Sequence, residues 1–85
     1  MYNVIFSPHA QEQFNSLEKS IQERITASLS RIKVRPYHFI ERLSSSKYYK
    51  FRVGYYRLVL DVKNDILLIV VVEVDHRKNI YKKLH

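Results

Sequence analysis

The chain has 85 residues, no cysteine and a formal net charge of +7 at pH 7. This length fits one small domain, predicted to span residues 1–85. The lack of cysteine excludes disulfides, thiolate metal sites and cysteine nucleophiles, and it suits a reducing compartment, so we expect a cytoplasmic protein. No signal-peptide pattern and no membrane-spanning apolar run are visible in the sequence.

Positive charge is concentrated in the middle of the chain, where Glu41 is the single acid between Arg31 and Arg57. The basic residues of this stretch are Arg31, Lys33, Arg35, Arg42, Lys47, Lys50, Arg52 and Arg57. Such a bias favours a nucleic acid or an acidic protein as the partner, and it does not choose between them.

The first part of the chain predicts a strand followed by two helices. Tyr2–Phe6 is β-like, and Ser7 before Pro8 is a typical helix start, because serine caps free amides and proline loses nothing there. Ser20 and Glu23 have the spacing of a capping box and predict the start of the second helix. Apolar residues then recur at helical spacing: Ala10, Phe14 and Leu17, followed by Ile21, Ile25, Leu29 and Ile32.

The middle of the chain predicts a linker and a β-hairpin. Pro36 ends the second helix, since proline disfavours helical geometry in the preceding residue. Tyr37–Ser46 has the composition of a polar, mobile linker. In Tyr48–Val62, β-forming residues flank Gly54–Tyr55 on both sides, which predicts a hairpin with a two-residue turn.

The predicted hairpin separates apolar from charged side chains, because side chains alternate between the faces of a strand. One face carries Tyr49, Phe51, Val53, Tyr56, Leu58, Leu60 and Val62. On the other face, Arg52 is expected directly opposite Arg57, with Lys50 two positions along the strand. Opposed like charges destabilise a strand pair, and a rigid cationic cluster suits a phosphodiester. Solvation of the outer face or protection of a sheet edge would explain the same charges.

The end of the chain predicts a second turn and a central strand. Lys63–Asp65 is the turn, Ile66–Val74 is apolar on both faces, and Lys78–Leu84 could form a terminal helical turn. The order β-α-α-β-β-β with a short C-terminal helix predicts an α+β domain. In it, an antiparallel helical hairpin packs on a mostly antiparallel, twisted sheet, and the first strand lies at the sheet edge.

Familiar catalytic motifs are absent from the sequence, including glycine-rich phosphate loops and the helical zinc motif of metalloproteases. The histidines are scattered: His9, His38, His76 and His85. We therefore expect no metal and no cofactor. The remaining candidates for chemistry lie on the hairpin and beyond the last strand: Lys50, Arg52, Arg57, Arg77 and Tyr81.

Two segments, Lys50-Phe-Arg-Val-Gly-Tyr-Tyr-Arg-Leu-Val and Val74-Asp-His-Arg77-x-x-x-Tyr81, resemble the RelE/ParE superfamily of toxins. With the preceding strand and helices, the resemblance covers nearly the whole chain. It implies a RelE-like fold. For the RelE branch it also implies a ribosome-dependent endoribonuclease that cuts mRNA in the decoding site of the small ribosomal subunit. A cognate RelB-like antitoxin neutralises such toxins.

Matched by position, the resemblance implies a catalytic site of Lys50, Arg52, Arg57, Arg77 and Tyr81. The family position matched by Arg52 is often lysine. Because arginine stays protonated, Arg52 could hold a phosphate but would be a poor proton acceptor. The segment between Arg77 and Tyr81 is also shorter than in some RelE toxins.

Metal-free RNA cleavage needs a base for the 2′-hydroxyl, positive charge for the phosphorane and help for the leaving 5′-oxygen. Lys50 is the candidate base, because repulsion from Arg52 and Arg57 favours its neutral form. Arg57 is expected to hold the scissile phosphate, and Arg77 to stabilise the transition state or the leaving oxygen. Tyr81 is expected to stack on a base or to cover the sheet.

Three alternatives remain open from the sequence. Glu73 and His76 are another candidate acid–base pair, since some relatives employ Glu and His. The chain could be a ParE-like toxin that acts on DNA gyrase, although ParE-like members generally lack the full basic set. It could also be an inactive module that binds nucleic acid or an antitoxin.

Overall fold

The computed structural model describes residues 1–76, which contain two α-helices and five β-strands. The helices are α1, Pro8–Asn15, and α2, Lys19–Ile32. The strands are β1, Asn3–Phe6; β2, Glu41–Arg42; β3, Tyr49–Val53; β4, Tyr56–Lys63; and β5, Leu68–His76. Short 3₁₀ turns occupy Pro36–His38 and Asn64–Ile66. The predicted helical turn Lys78–Leu84 lies outside the described residues.

The five strands form one sheet in the order β1-β5-β4-β3-β2. β1 runs parallel to β5, and the other neighbouring strands are antiparallel. The α+β class, the mostly antiparallel sheet and the edge position of the first strand are therefore confirmed. Neither helix of the described part is long and apolar enough to cross a membrane.

The hydrophobic core lies between the helices and one face of the sheet, with α1 packed on β5 and α2 on β3. The buried apolar side chains are Ala10, Ile25, Leu29, Ile32, Ile40, Phe51, Val53, Leu58, Leu60, Ile69, Val71 and Val74. Most of them belong to the predicted helical stripes and to the apolar face of the hairpin. The periodicity of the sequence therefore identified which side of each element is buried.

α1 begins as predicted. It is hydrogen-bonded to the part of β5 that follows the residues paired with β1. Ser7 is the N-cap, and its Oγ accepts a hydrogen bond from the Ala10 N–H at 3.2 Å. The Ser7 N–H donates to the Val71 carbonyl at 2.9 Å, where β1 ends. Further along, Gln13 Oε1 accepts a hydrogen bond from the Val74 N–H at 2.7 Å. The helix thus satisfies β5 backbone groups beyond the reach of β1.

α2 begins earlier than predicted. Its N-cap is Glu18, which makes no side-chain cap bond, so the predicted capping box from Ser20 to Glu23 is wrong. Gln22 holds the junction instead, because its Nε2 donates to the Phe14 carbonyl at 2.9 Å across the connection between the helices. A side chain that bridges two helices carries no local spacing signal, which is why the sequence did not predict this start.

The segment predicted as a mobile linker, Tyr37–Ser46, is structured instead. Glu41 pairs with Lys50 and Arg42 with Tyr49, so β2 forms the last strand of the sheet. Two residues are too few to show an alternating pattern, and glutamate is depleted in strands. This strand therefore depends on its neighbour and could not be predicted from its own residues.

The turn after β4 lies close to its predicted position. Because Asn64–Ile66 forms a 3₁₀ turn, β5 begins at Leu68, two residues later than predicted. Asn64 Oδ1 accepts hydrogen bonds from the hydroxyl groups of Tyr2, at 2.7 Å, and Tyr37, at 3.0 Å. These bonds fix the turn against the N-terminus and against the 3₁₀ turn Pro36–His38.

Candidate functional site

The β3–β4 hairpin has the predicted turn and register. Val53 pairs with Tyr56, and Arg52 lies directly opposite Arg57. Gly54 has a φ of 60°, a left-handed conformation that glycine adopts without steric cost at the first position of a type II′ turn. The predicted like-charge pair is therefore confirmed.

Lys50 joins Arg52 and Arg57 on the sheet face opposite the helices, which we call the cationic face. Its Nζ lies 3.5 Å from Glu41 Oε2, and the two side chains are 37% and 76% exposed. Exposed ion pairs of this kind contribute only about 0–1 kcal/mol. A phosphate can therefore displace Glu41 from Lys50 at little cost.

Arg57 is more enclosed than its neighbour across the hairpin. Arg52 is exposed, whereas Arg57 is partly buried and its Nε has no hydrogen-bond partner within residues 1–76. An unpaired buried donor costs about 1–3 kcal/mol. A hydrogen-bond acceptor at this nitrogen, such as a phosphate oxygen, would remove that cost.

Acidic residues border the cationic face on both sides. Glu41 lies on the β2 side, and on the β5 side Asp75 is opposite Arg57 and only 7% exposed. Glu73 lies opposite Val59, just before an irregularity in the β4–β5 pairing. Within residues 1–76, the positive charge of the cationic face thus comes from β3 and β4. The sequence did not identify Asp75, because the length of the turn after β4 had left the register of β5 open.

The structure separates the candidate acid–base pair of Glu73 and His76. Residues three apart in a strand point to opposite faces, so the two side chains do not share one face. The His76 ring contacts two tyrosines: it stacks on Tyr55 at 6.4 Å between centroids and meets the edge of Tyr56 at 4.9 Å. His76 therefore belongs to an aromatic cluster beside the hairpin turn.

α2 brings a further cation to the hairpin, which sequence analysis missed. A Cβ atom on Gly54 would lie 3.1 Å from Nη1 and 3.2 Å from Cζ of Arg24, so the guanidinium rests directly on the turn. No spacing in the sequence could identify this contact, because the angle at which a helix crosses a sheet depends on packing.

Arg77 and Tyr81, the other members of the predicted site, lie outside the described residues. Their contribution stays a prediction. The structure brings together the three predicted residues that it describes, Lys50, Arg52 and Arg57, on neighbouring strands of one hairpin.

The fold is similar to those of solved toxin structures. A chain of the toxin–antitoxin complex RelBE2 from Mycobacterium tuberculosis matches with a TM-score of 0.80 and 23% identity, over 89% of this chain and 98% of that one. A chain of the intact RelBE complex from E. coli matches with a TM-score of 0.78 and 21% identity, over 89% of this chain and 96% of that one. The isolated E. coli RelE toxin matches with a TM-score of 0.75 and 21% identity, over 99% of this chain and 95% of that one. A search of curated protein sequences found no match.

These likenesses define a RelE-like fold. The model of the ParE toxin family of type II toxin–antitoxin systems matches residues 4–81, and the chain belongs to that family. The superfamily predicted from the two short motifs is thereby confirmed.

Proposed function

We propose that this toxin is an endoribonuclease that cleaves messenger RNA on the ribosome and so inhibits translation. The observation that carries the proposal is the hairpin register, with Arg52 opposite Arg57 and Lys50 two positions along β3. Guanidinium groups bind phosphate oxygens through several N–H donors at once. The buried Nε of Arg57 is a donor that such an oxygen would satisfy.

In the proposed reaction the 2′-oxygen attacks the adjacent phosphorus. The O2′–P bond forms, the P–O5′ bond breaks, and the products are a 2′,3′-cyclic phosphate and a protonated 5′-oxygen. Lys50 is the proposed base for the 2′ proton, which requires that it leave Glu41 and become neutral. Arg57 holds the scissile phosphate, and Arg52, which stays protonated, stabilises the added negative charge.

Arg77 and Tyr81 complete the proposed site through the family resemblance. Arg77 would stabilise the phosphorane or the leaving oxygen, and Tyr81 would stack on a base. Lysine, arginine and tyrosine are a weak set of acids and bases at neutral pH. A larger scaffold that orients the RNA would compensate for this, which favours cleavage on the ribosome and hence a cytoplasmic location.

The test is a translation extract with a defined mRNA, in which cuts are mapped by primer extension with and without ribosomes. Wild type is compared with Arg57→Ala and with Arg35→Ala, which removes an exposed arginine outside the cationic face. We expect ribosome-dependent cuts from wild type and Arg35→Ala, and a loss of at least a hundredfold in Arg57→Ala. Equal cutting by Arg57→Ala would refute the proposed phosphate ligand.

The proposed partner is an acidic, RelB-like antitoxin. The net charge of +7 favours an acidic chain, and the solved RelBE and RelB–RelE structures of similar fold are complexes of a toxin with its antitoxin. A partner that covers the cationic face would block RNA directly. One that displaces the segment after β5 would remove Arg77 and Tyr81 from the site.

A gyrase inhibitor is the second candidate function, because the matching family model is that of ParE toxins. Under this reading the purified protein inhibits DNA supercoiling by gyrase and leaves RNA intact. Supercoiling and primer extension measured on the same preparation therefore separate the two functions. Binding of RNA without cleavage or gyrase inhibition would indicate an inactive module.

A further inference from the structure

The tip of the β3–β4 hairpin carries side chains that the proposed cleavage reaction does not use. Tyr55 is 72% exposed although its ring is large and aromatic. Arg24 reaches the same turn from α2. Tyr55 is the second residue of the turn between β3 and β4, and Arg24 lies against the first, so both adjoin the cationic face without belonging to it.

We propose that this tip is a second nucleotide subsite, in which Tyr55 stacks on an unpaired base and Arg24 binds the neighbouring phosphate. The inference rests on the proposed function, since it assumes that single-stranded RNA is the substrate. It extends the path of the RNA from the cationic face over the hairpin turn to the helix side of the sheet.

One face of the Tyr55 ring packs against another aromatic ring. Its face stacks on His76 with an interplanar angle of 21°, and His76 in turn meets the edge of Tyr56. Aromatic rings that are already held in place lose little conformational freedom when a base stacks on them. Because every base has a π-face, such a platform binds single strands with little sequence preference.

Arg24 has the features of an available phosphate ligand. Its side chain forms no ion pair with any acid within residues 1–76, although Glu23 precedes it in the chain. The missing side chain of Gly54 lets the planar guanidinium lie on the turn, which restricts its orientation. A guanidinium held in one plane binds two phosphate oxygens with less entropic cost than a freely rotating one.

The test is fluorescence anisotropy with a labelled, single-stranded 2′-O-methyl RNA, which binds but cannot react through its 2′-oxygen. Tyr55→Ala is expected to raise the Kd about tenfold, and Tyr55→Phe to bind like wild type, because the phenyl ring still stacks. Arg24→Ala is expected to raise the Kd severalfold and to reduce the salt dependence by about one phosphate contact.

Matched controls come from the segment between α2 and β2. Phe39 is an exposed aromatic residue beside His38, and Arg35 is an exposed arginine, so Phe39→Ala and Arg35→Ala remove similar groups that do not belong to the proposed subsite. Both controls should bind within about twofold of wild type, well inside the effect expected for a lost stacking contact. The subsite is refuted if the tip variants bind like wild type, if the controls weaken binding equally, or if folded wild type does not bind at low salt.

The binding assay also keeps this inference apart from the proposed function. If Arg57→Ala loses cleavage while Tyr55→Ala and Arg24→Ala bind normally, the subsite fails and the nuclease stands. If wild type never cuts RNA but the tip variants weaken binding, the nuclease fails and the tip remains an RNA-binding site.

Discussion

Gly54, in the turn of the hairpin, is in contact with the Arg24 side chain of α2. Its φ of 60° is unfavourable for any residue with a Cβ, and a Cβ there would lie 3.1 Å from Nη1 of Arg24, so the guanidinium would have to shift by a few tenths of an ångström. The backbone conformation therefore selects glycine at this position. The only glycine of the chain lies here.

We predict that Gly54→Ala lowers the free energy of unfolding by about 1–2 kcal/mol, because alanine is strained at this φ. The new methyl group also pushes the Arg24 guanidinium aside by a few tenths of an ångström, so RNA binding should weaken, but less than in Arg24→Ala. Urea denaturation and anisotropy measure the two effects separately. In the Arg24→Ala background, Gly54→Ala should still cost stability but should no longer change RNA binding; a further loss of binding would contradict the assigned contact.

Individual site residues differed in how far the sequence could identify them. Arg52 opposite Arg57 was predictable, because a two-residue turn fixes the register of both strands. Arg24 and Asp75 were not, since each reaches the site through long-range packing: one through the docking of α2, the other through the pairing of β5 with β4. Local spacing carries no information on either.

Among the elements, α1 links the N-terminal strand to the half of β5 that β1 does not cover. Ser7 caps the helix and its backbone bonds to Val71, while Gln13 bonds to Val74. The end of β5 is thus held by a helix beyond the point where β1 ends. This end leads to His76 and the hairpin tip, so the helix start helps to position the aromatic cluster.

We predict that Ser7→Ala destabilises the protein by about 1 kcal/mol through loss of the N-cap. For a domain of this size that corresponds to a fall in Tm of about 4–8 °C. Ser20→Ala is the matched control, because Ser20 was the predicted cap of α2 and the structure uses Glu18 instead. Thermal unfolding followed by circular dichroism should show no loss of stability in this control. A larger effect of Ser20→Ala than of Ser7→Ala would contradict the observed helix starts.

The elements with strong periodicity were predicted in type and approximate position, whereas β2 and the start of α2 were not. Both helices, the hairpin and the buried strand β5 have apolar patterns over five or more residues. β2 has only Glu41 and Arg42, and the start of α2 depends on a hydrogen bond from Gln22 across the helix junction. Such features depend on tertiary contacts and leave no local pattern.

At the scale of the whole molecule, the two ends of the β3–β4 hairpin carry chemically different groups. One end of the hairpin carries the turn with Arg24 and Tyr55. The other end carries Asn64 with Tyr2 and Tyr37, next to exposed apolar side chains: Val34, Ile66 and Leu67. A partner that wraps the domain would meet Arg24 and Tyr55 at one end and exposed apolar side chains at the other.

We predict that an acidic antitoxin abolishes RNA cleavage when it is mixed with the toxin. Binding should weaken with salt, because the toxin carries +7, but less steeply than RNA binding, since the apolar end contributes contacts that salt does not screen. Isothermal titration calorimetry at several salt concentrations measures this. Growth arrest that continues despite a stable complex would contradict neutralisation by this partner.

The short last strand affects how the protein behaves at high concentration. β2 presents only Glu41 and Arg42 at the open edge of the sheet, and both side chains are exposed. A further copy that tried to extend the sheet there would find only two residues of backbone to pair with, too few for a stable added strand. Fibre growth from this edge is thereby suppressed, and the chain can accumulate in a crowded cell without polymerising through it.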